Sequence, residues 1–283
     1  MLSVRWANSI LSSLLSAFLL LLFPAAATGS NHFQFGYRYK CHDGWNDDGD
    51  LGRVNIGGRL GCGYSRISGI QGCLESGVLR PTYTFSESGV FFPVFFLFSN
   101  YRLKNVGAEL EAGSERVGDV LVKDYTNRNL SEEYAFGYQY FSTGLYLKFY
   151  FRNCFYFGAG CRMSWCLNRN GVRFSSTRSA LYSQSDGQTE ERIQESLSGK
   201  MVTSSGLKLG WESERGWAVE LSYHQSLNDA VRTNTNEYGY TEEKNPSQSV
   251  ELTIGYSLTI WDRRSQKSKS RRVQRHWHHK YDK

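Results

Sequence analysis

In the stretch Tyr223-His224-Gln225-Ser226-Leu227-Asn228-Asp229, a histidine and a serine stand two residues apart, so on an extended strand they share a face. From that position an imidazole could take the serine proton as general base and start an acyl transfer. Leu221 and Tyr223 set the apolar parity of this stretch, however, which puts His224 and Ser226 on its polar side. No catalytic residue is assigned on that basis. The acidic run Asp47, Asp48 and Asp50 suggests a calcium loop, but neither Asp43 nor Asp47 is followed by a glutamate at the twelfth position, so it reads as a solvated turn. Cys161 and Cys166 have no second cysteine pair or suitable histidine to complete a zinc site. His276, His278 and His279 lie in a basic tail and define no metal geometry. No metal and no cofactor is expected.

The strongest constellation is electrostatic. Arg59, Lys148, Arg162 and Lys208, with Glu109, Glu111, Glu212, Glu220 and Glu251, all fall on the polar parity of segments whose other parity is apolar. Period 2 with charge on one face and aliphatic or aromatic residues on the other describes a strand between two unlike media. The two longest such strands flank Arg152-Asn153. Phe141, Leu145, Leu147, Phe149 and Phe151 alternate with Ser142, Gly144, Tyr146, Lys148 and Tyr150 before that turn. Phe155, Phe157, Ala159, Cys161, Met163, Trp165 and Leu167 alternate with Tyr156, Gly158, Gly160, Arg162 and Ser164 after it. Each is roughly twice the usual strand length of about 5–6 residues. A tilted strand crossing a bilayer needs about 9–11.

The same pattern recurs along the chain. It begins with Val54, Ile56, Leu60, Cys62 and Tyr64, and Ser88–Asn100 and Val106–Ala112 follow. Later come Val202–Ser213, Trp217–His224 and Val250–Ile260. Eight strands result, joined alternately by long and short connections. Residues 68–87, about twenty residues through Tyr134, 168–200 and 228–247 read as long loops. The expectation is an all-β, eight-stranded antiparallel up-and-down transmembrane barrel, with short turns on the periplasmic side and long loops outside. Only closure pairs every strand edge, and an unpaired backbone group in hydrocarbon costs several kcal/mol. Eight strands leave an interior just wide enough for side chains. The nine charged residues should therefore pair inside, with no open pore.

Residues 1–27 carry Arg5, an apolar run over Ile10–Phe23 and Ala25-Ala26-Ala27, the pattern of a secretory signal cleaved near Ala27. Residues 28–52 read as an N-terminal periplasmic or plug segment, 53–261 as the barrel and 262–283 as a basic tail. The tail holds nine Lys/Arg against Asp262 and Asp282; its surplus and Arg5 exceed the whole net charge of +6, leaving the body slightly acidic. Anionic headgroups would attract such a tail, and export excludes nucleic acid as its partner. A mean hydropathy of −0.48 argues against a helical membrane protein. In an oxidising compartment Cys73 could pair with Cys166 near the loop side and Cys41 with Cys154 near the other. Cys62 and Cys161 fall on the apolar parity and need no partner.

Five segments carry a family likeness: RVNIGGRLGC (Arg53–Cys62), GLYLKFYF (Gly144–Phe151), FYFGAGCR (Phe155–Arg162), AVELSYHQSLND (Ala218–Asp229) and IGYSL (Ile254–Leu258). In order and spacing the chain resembles the eight-stranded outer-membrane β-barrel family that includes the PorT-like proteins. It departs from many members at Ser222, where they carry Arg, and in the 22 residues after Trp261. The resemblance implies an outer-membrane protein of a Gram-negative bacterium, embedded in the outer-membrane lipid bilayer. Its role would be structural or partner-binding, with envelope or secretion-complex proteins as partners, and not enzymatic. Two alternatives stand beside it. Lipid A deacylases are also eight-stranded barrels, and carry a His-x-Ser-Asn pattern from which Asn228 is displaced by one. The long outer loops, 168–200 above all, would suit an adhesin.

Overall fold

The structure, a computed structural model, describes residues 52–71, 83–125, 130–151, 154–177, 179–213, 215–233 and 244–262. The expected signal segment, nearly all of residues 28–52 and all of the basic tail but Asp262 lie outside them, as do Cys41 and Cys73.

Eight long strands form one closed ring: β1 (Arg53–Ile67), β2 (Tyr83–Leu103), β3 (Val106–Tyr125), β4 (Leu130–Phe151), β5 (Phe155–Cys166), β8 (Val202–Glu212), β9 (Trp217–Asp229) and β11 (Pro246–Asp262). Around the ring the order is β3-β2-β1-β11-β9-β8-β5-β4, and the pairing of β3 with β4 closes it. Neighbours run antiparallel throughout, with β1 paired to β11 from Arg53–Asp262 to Ile67–Ser247. Closure leaves no lower edge unpaired. The even strand number and up-and-down order match the expectation from sequence.

The side chains follow the parity. Leu60, Leu110, Leu145, Leu209 and Leu258 point outward and are 45–65% exposed, whereas Arg59, Glu109, Lys148, Lys208 and Glu251 point inward and are at most 3% exposed. The outward apolar band begins and ends ten residues apart on strand after strand: Phe91 to Tyr101, Phe141 to Phe151, Phe155 to Trp165 and Trp217 to Leu227. At about 3.3 Å per residue and a tilt of about 40°, ten residues cover about 25 Å, the height of a lipid-facing band. Aromatic contacts mark its two rims: Phe141–Trp165 and Tyr64–Phe91 at the long-loop end, Phe151–Phe155 and Trp217–Tyr256 at the short-turn end.

Beyond the long-loop rim the structure departs from the sequence reading. Residues assigned to loops continue the strands: β2 starts at Tyr83, β3 runs to Tyr125 and β4 starts at Leu130. The register of β2 on β3 slips by one between Gly89 and Phe95, around Pro93, which has no N–H for the ladder. The slip changes which side chains face inward. Phe92, Val94 and Phe96 are buried below it, while Phe85, of the opposite parity, packs on the inner apolar cluster above it.

The region 168–200 is also folded. β6 (Val172–Ser176) pairs with the upper part of β4, then α1 (Ser179–Ser196) and β7 (Leu197–Gly199) follow, and β7 pairs with β10 (Val231–Thr233). Asp186, Glu190 and Gln194 recur every fourth residue on one face of α1. They meet alternate residues of β6: Ser176 N–H donates to Asp186 (3.4 Å), Phe174 N–H to Glu190 (3.0 Å), and the Gln194 amide donates to the Val172 carbonyl (2.8 Å). One helical turn rises about 5.4 Å and two strand residues about 6.6 Å, so the helix side chains can stand in for a strand along that edge.

Candidate functional site

The inward parity of β1, β3, β4, β5, β8, β9 and β11 converges on one charged layer. Arg59 meets Glu109 (2.5 Å), Glu111 (3.2 Å) and Glu220. Lys208 meets Glu109 (3.1 Å), Glu111 (2.5 Å) and Glu220 (3.1 Å). Lys148 reaches Glu109 (2.5 Å) and Glu220 (3.6 Å). Arg162 holds Glu251 with two parallel contacts (2.7 and 3.0 Å), and also Glu111 (2.9 Å) and Glu115 (2.7 Å). Each of the four cations also lies over an aromatic ring: Arg59 on Phe98, Lys148 on Tyr156, Arg162 on Phe96 and Lys208 on Tyr146.

Eight of the nine residues singled out in the sequence are fully buried members of this network. Glu212 differs, sitting at the short-turn mouth with its side chain 16% exposed and 3.4 Å from Lys148. Sequence periodicity misses Glu115, because the apolar alternation of this segment stops at Ala112. Glu115 has the parity of Glu109 and Glu111, which was the available signal. It also accepts hydrogen bonds from Ser142 (2.5 Å) and Ser164 (2.7 Å).

The lumen is layered. Along β3 the inward residues pass from Glu109, Glu111 and Glu115 to Val117 and Leu121, and along β4 from Lys148 and Ser142 to Tyr140, Tyr138, Phe136 and Tyr134. The upper set joins Ile67, Val172, Ile193, Leu197 and Val231 in one buried apolar cluster. Two of these, Ile193 and Leu197, come from α1 and β7, so the folded 168–200 region supplies part of the cap over the charged layer.

Three carboxylates, Glu109, Glu111 and Glu220, stand close enough together to suggest a cation site. Arg59, Lys148 and Lys208 occupy that position, so the chain supplies its own counter-charges. His224 lies in the lumen, 3.6 Å from Glu251, with neither ring nitrogen hydrogen-bonded. The Ser226 hydroxyl accepts the Ser247 N–H (2.6 Å). No hydrogen bond links the two, so the arrangement lacks the nucleophile–base contact of a hydrolase. Cys62 and Cys161 are exposed on the outward face, Cys154 is buried and Cys166 half-buried. The two expected disulfides involve Cys41 and Cys73, outside the described residues.

Asp119 lies three residues beyond Arg116, above the apolar band. Burial pushes its carboxyl up to about 6, although it accepts the Ile67 (3.1 Å) and Val120 (2.9 Å) N–H groups, which pull the other way. An unfolded aspartate titrates near about 3.9, so the folded chain holds this proton more tightly. Asp119 therefore favours folding most at acid pH and loses that contribution as pH rises through about 4 to 6. The denaturant midpoint of Asp119→Asn is expected to vary less across that window than the unsubstituted protein's.

No protein-family model matches the chain, and no curated protein does. Among solved structures it is similar to Ail, the attachment invasion locus protein of Yersinia pestis, solved in complex with the heparin analogue sucrose octasulfate: 13% identity over 73% of this chain and 99% of that one, TM-score 0.32. It is similar to the outer membrane protein OprG of Pseudomonas aeruginosa at 10% identity over 74% and 94%, TM-score 0.33. It is also similar to the outer membrane protein AlkL at 12% over 74% and 90%, TM-score 0.36. The architecture itself rests on the chain's own strand pairing, which closes the eight-stranded antiparallel barrel.

Proposed function

We propose that this chain is an outer-membrane barrel of a Gram-negative bacterium that serves as a sealed anchor and binds partners outside the bilayer. One observation carries the reading: the lumen is filled by a closed ion-pair layer and covered by an apolar cluster, while the outer wall carries a lipid-height apolar band. A channel would need a continuous polar path, and the buried cluster around Phe136, Tyr138 and Leu197 interrupts it. In this orientation the short turns face the periplasm and the tall β2–β3–β4 wall with α1 faces outward. The likeness to PorT-like proteins supports an envelope or secretion-complex role, with partners met at the outer wall or through the basic tail. The unengaged His224–Ser226 geometry supports a non-enzymatic reading.

The test is conductance across a planar bilayer. The reconstituted chain is expected to add no steady current, and stepwise openings would refute the sealed anchor. Cross-linking and pull-down from native outer membranes would then identify partners. A second reading, adhesion, is supported by the strands that rise about ten residues past the rim. Trimming β6 and α1 while the ring still folds should abolish attachment if adhesion is the role.

A further inference from the structure

The outer wall carries a cationic cleft at the height where the apolar band stops. Arg116 is the first outward residue of β3 beyond Ser114, whose partner Phe141 stacks toward Trp165 in the rim. Its guanidinium lies over Gly137 of β4, in space that any larger side chain there would fill. Arg173 of β6 pairs with Ala135, which is on the same outward face as Gly137. Between them lies a cavity of about 330 Å³ that Asn168 and Asn170 also line. Both arginines are exposed, and neither forms an ion pair among the described residues. Glu190 is the acid at this cavity, and its two oxygens take the Phe174 N–H (3.0 Å) and the Gln194 amide (3.1 Å). Two guanidinium groups are thus left without a carboxylate partner among the described residues, beside the exposed Asn168 and Asn170.

We propose that this cleft binds the phosphate of a phosphorylated outer-leaflet glycolipid headgroup. Guanidinium forks match phosphate oxygens two at a time, and such charge-assisted bonds are the strong ones. A volume of this size accommodates a small polar group. Position selects the source, because acyl chains would lie along Phe141, Trp165 and Leu167 while the headgroup stands at Arg116. The proposal rests on the outer-membrane reading above.

The experiment uses the full chain reconstituted in phosphatidylcholine nanodiscs, with bisphosphorylated lipid A or its dephosphorylated form added and retention read by native mass spectrometry. The phosphorylated lipid should be retained about tenfold more strongly, as expected for a few charge-assisted bonds. The double substitution Arg116→Gln with Arg173→Gln should erase that preference. Gly137→Leu should weaken it while leaving both charges, because the new side chain displaces the Arg116 guanidinium. Equal retention of the two lipids, or a preference that survives the double substitution, would overturn the proposal. Inorganic phosphate bound alone as tightly as the lipid would make this a free-anion site and overturn the lipid assignment. Failure of the chain to insert into any bilayer would instead remove the outer-membrane reading itself.

Discussion

Replacing Arg162 with methionine is expected to destabilise the barrel by about 3–5 kcal/mol, the cost of leaving buried charge unpaired. Arg162 is 2% exposed and binds three carboxylates at once. Without it Glu111 keeps Lys208 and Arg59, and Glu115 keeps the hydroxyls of Ser142 and Ser164. Glu251 retains the Ser222 hydroxyl (3.2 Å) and the more distant His224. The damage should therefore concentrate at Glu251, and adding Glu251→Gln to the methionine variant should recover part of the loss. Arg162→Lys should fall between, since an ammonium cannot hold Glu251 with two parallel bonds. Urea midpoints followed by tryptophan fluorescence in lipid vesicles would give the interaction energy from the double-mutant cycle. A loss below about 1 kcal/mol for Arg162→Met, far short of the unpaired-charge cost, would mean that water reaches Glu251, and the sealed lumen would fail with it.

The network was legible in the sequence because a strand between lipid and a filled polar lumen must alternate along its whole depth. Arg59 beside Leu60, and Lys208 beside Leu207 and Leu209, can be placed by parity alone. The same logic explains where the reading stopped. Above the rim the outward side meets water, so apolar residues are no longer required there and alternation fades. Gly113, Ser114, Glu115 and Arg116 then look like a loop, although β3 continues to Tyr125. Phe85 was hidden for another reason, since the slip around Pro93 puts it on the face that parity assigns to the exterior. β6 and α1 were hidden because their edge is held by Asp186, Glu190 and Gln194, residue types that in a linear reading signal solvent.

Leu145→Arg is expected to cost about 2–4 kcal/mol, although Leu145 is a half-exposed residue at which a soluble protein would tolerate the change to within about 0.5 kcal/mol. The difference is the solvent. Leu145 lies four residues below Phe141 and six above Phe151, near the middle of the apolar band, beside Leu110 and Cys161 on the neighbouring strands. An arginine there must sit in hydrocarbon or drag headgroups and water toward it. Gln139→Arg, one outward step beyond Phe141 on the same strand, should cost about 0–1 kcal/mol, because the interface already solvates charge. The two substitutions add the same side chain to the same face of β4, so propensity largely cancels. Gln139 stands opposite Arg116 and Leu145 opposite Leu110, so like-charge repulsion at Gln139 works against the predicted difference and depth must outweigh it. Both are read as changes in folding free energy into phospholipid vesicles. A steep fall from Leu145 to Gln139 supports a bilayer around the band. Equal, small costs would mean that the outward leucines and phenylalanines face water or another protein, and that the ten-residue interval shared by the strands has a different cause.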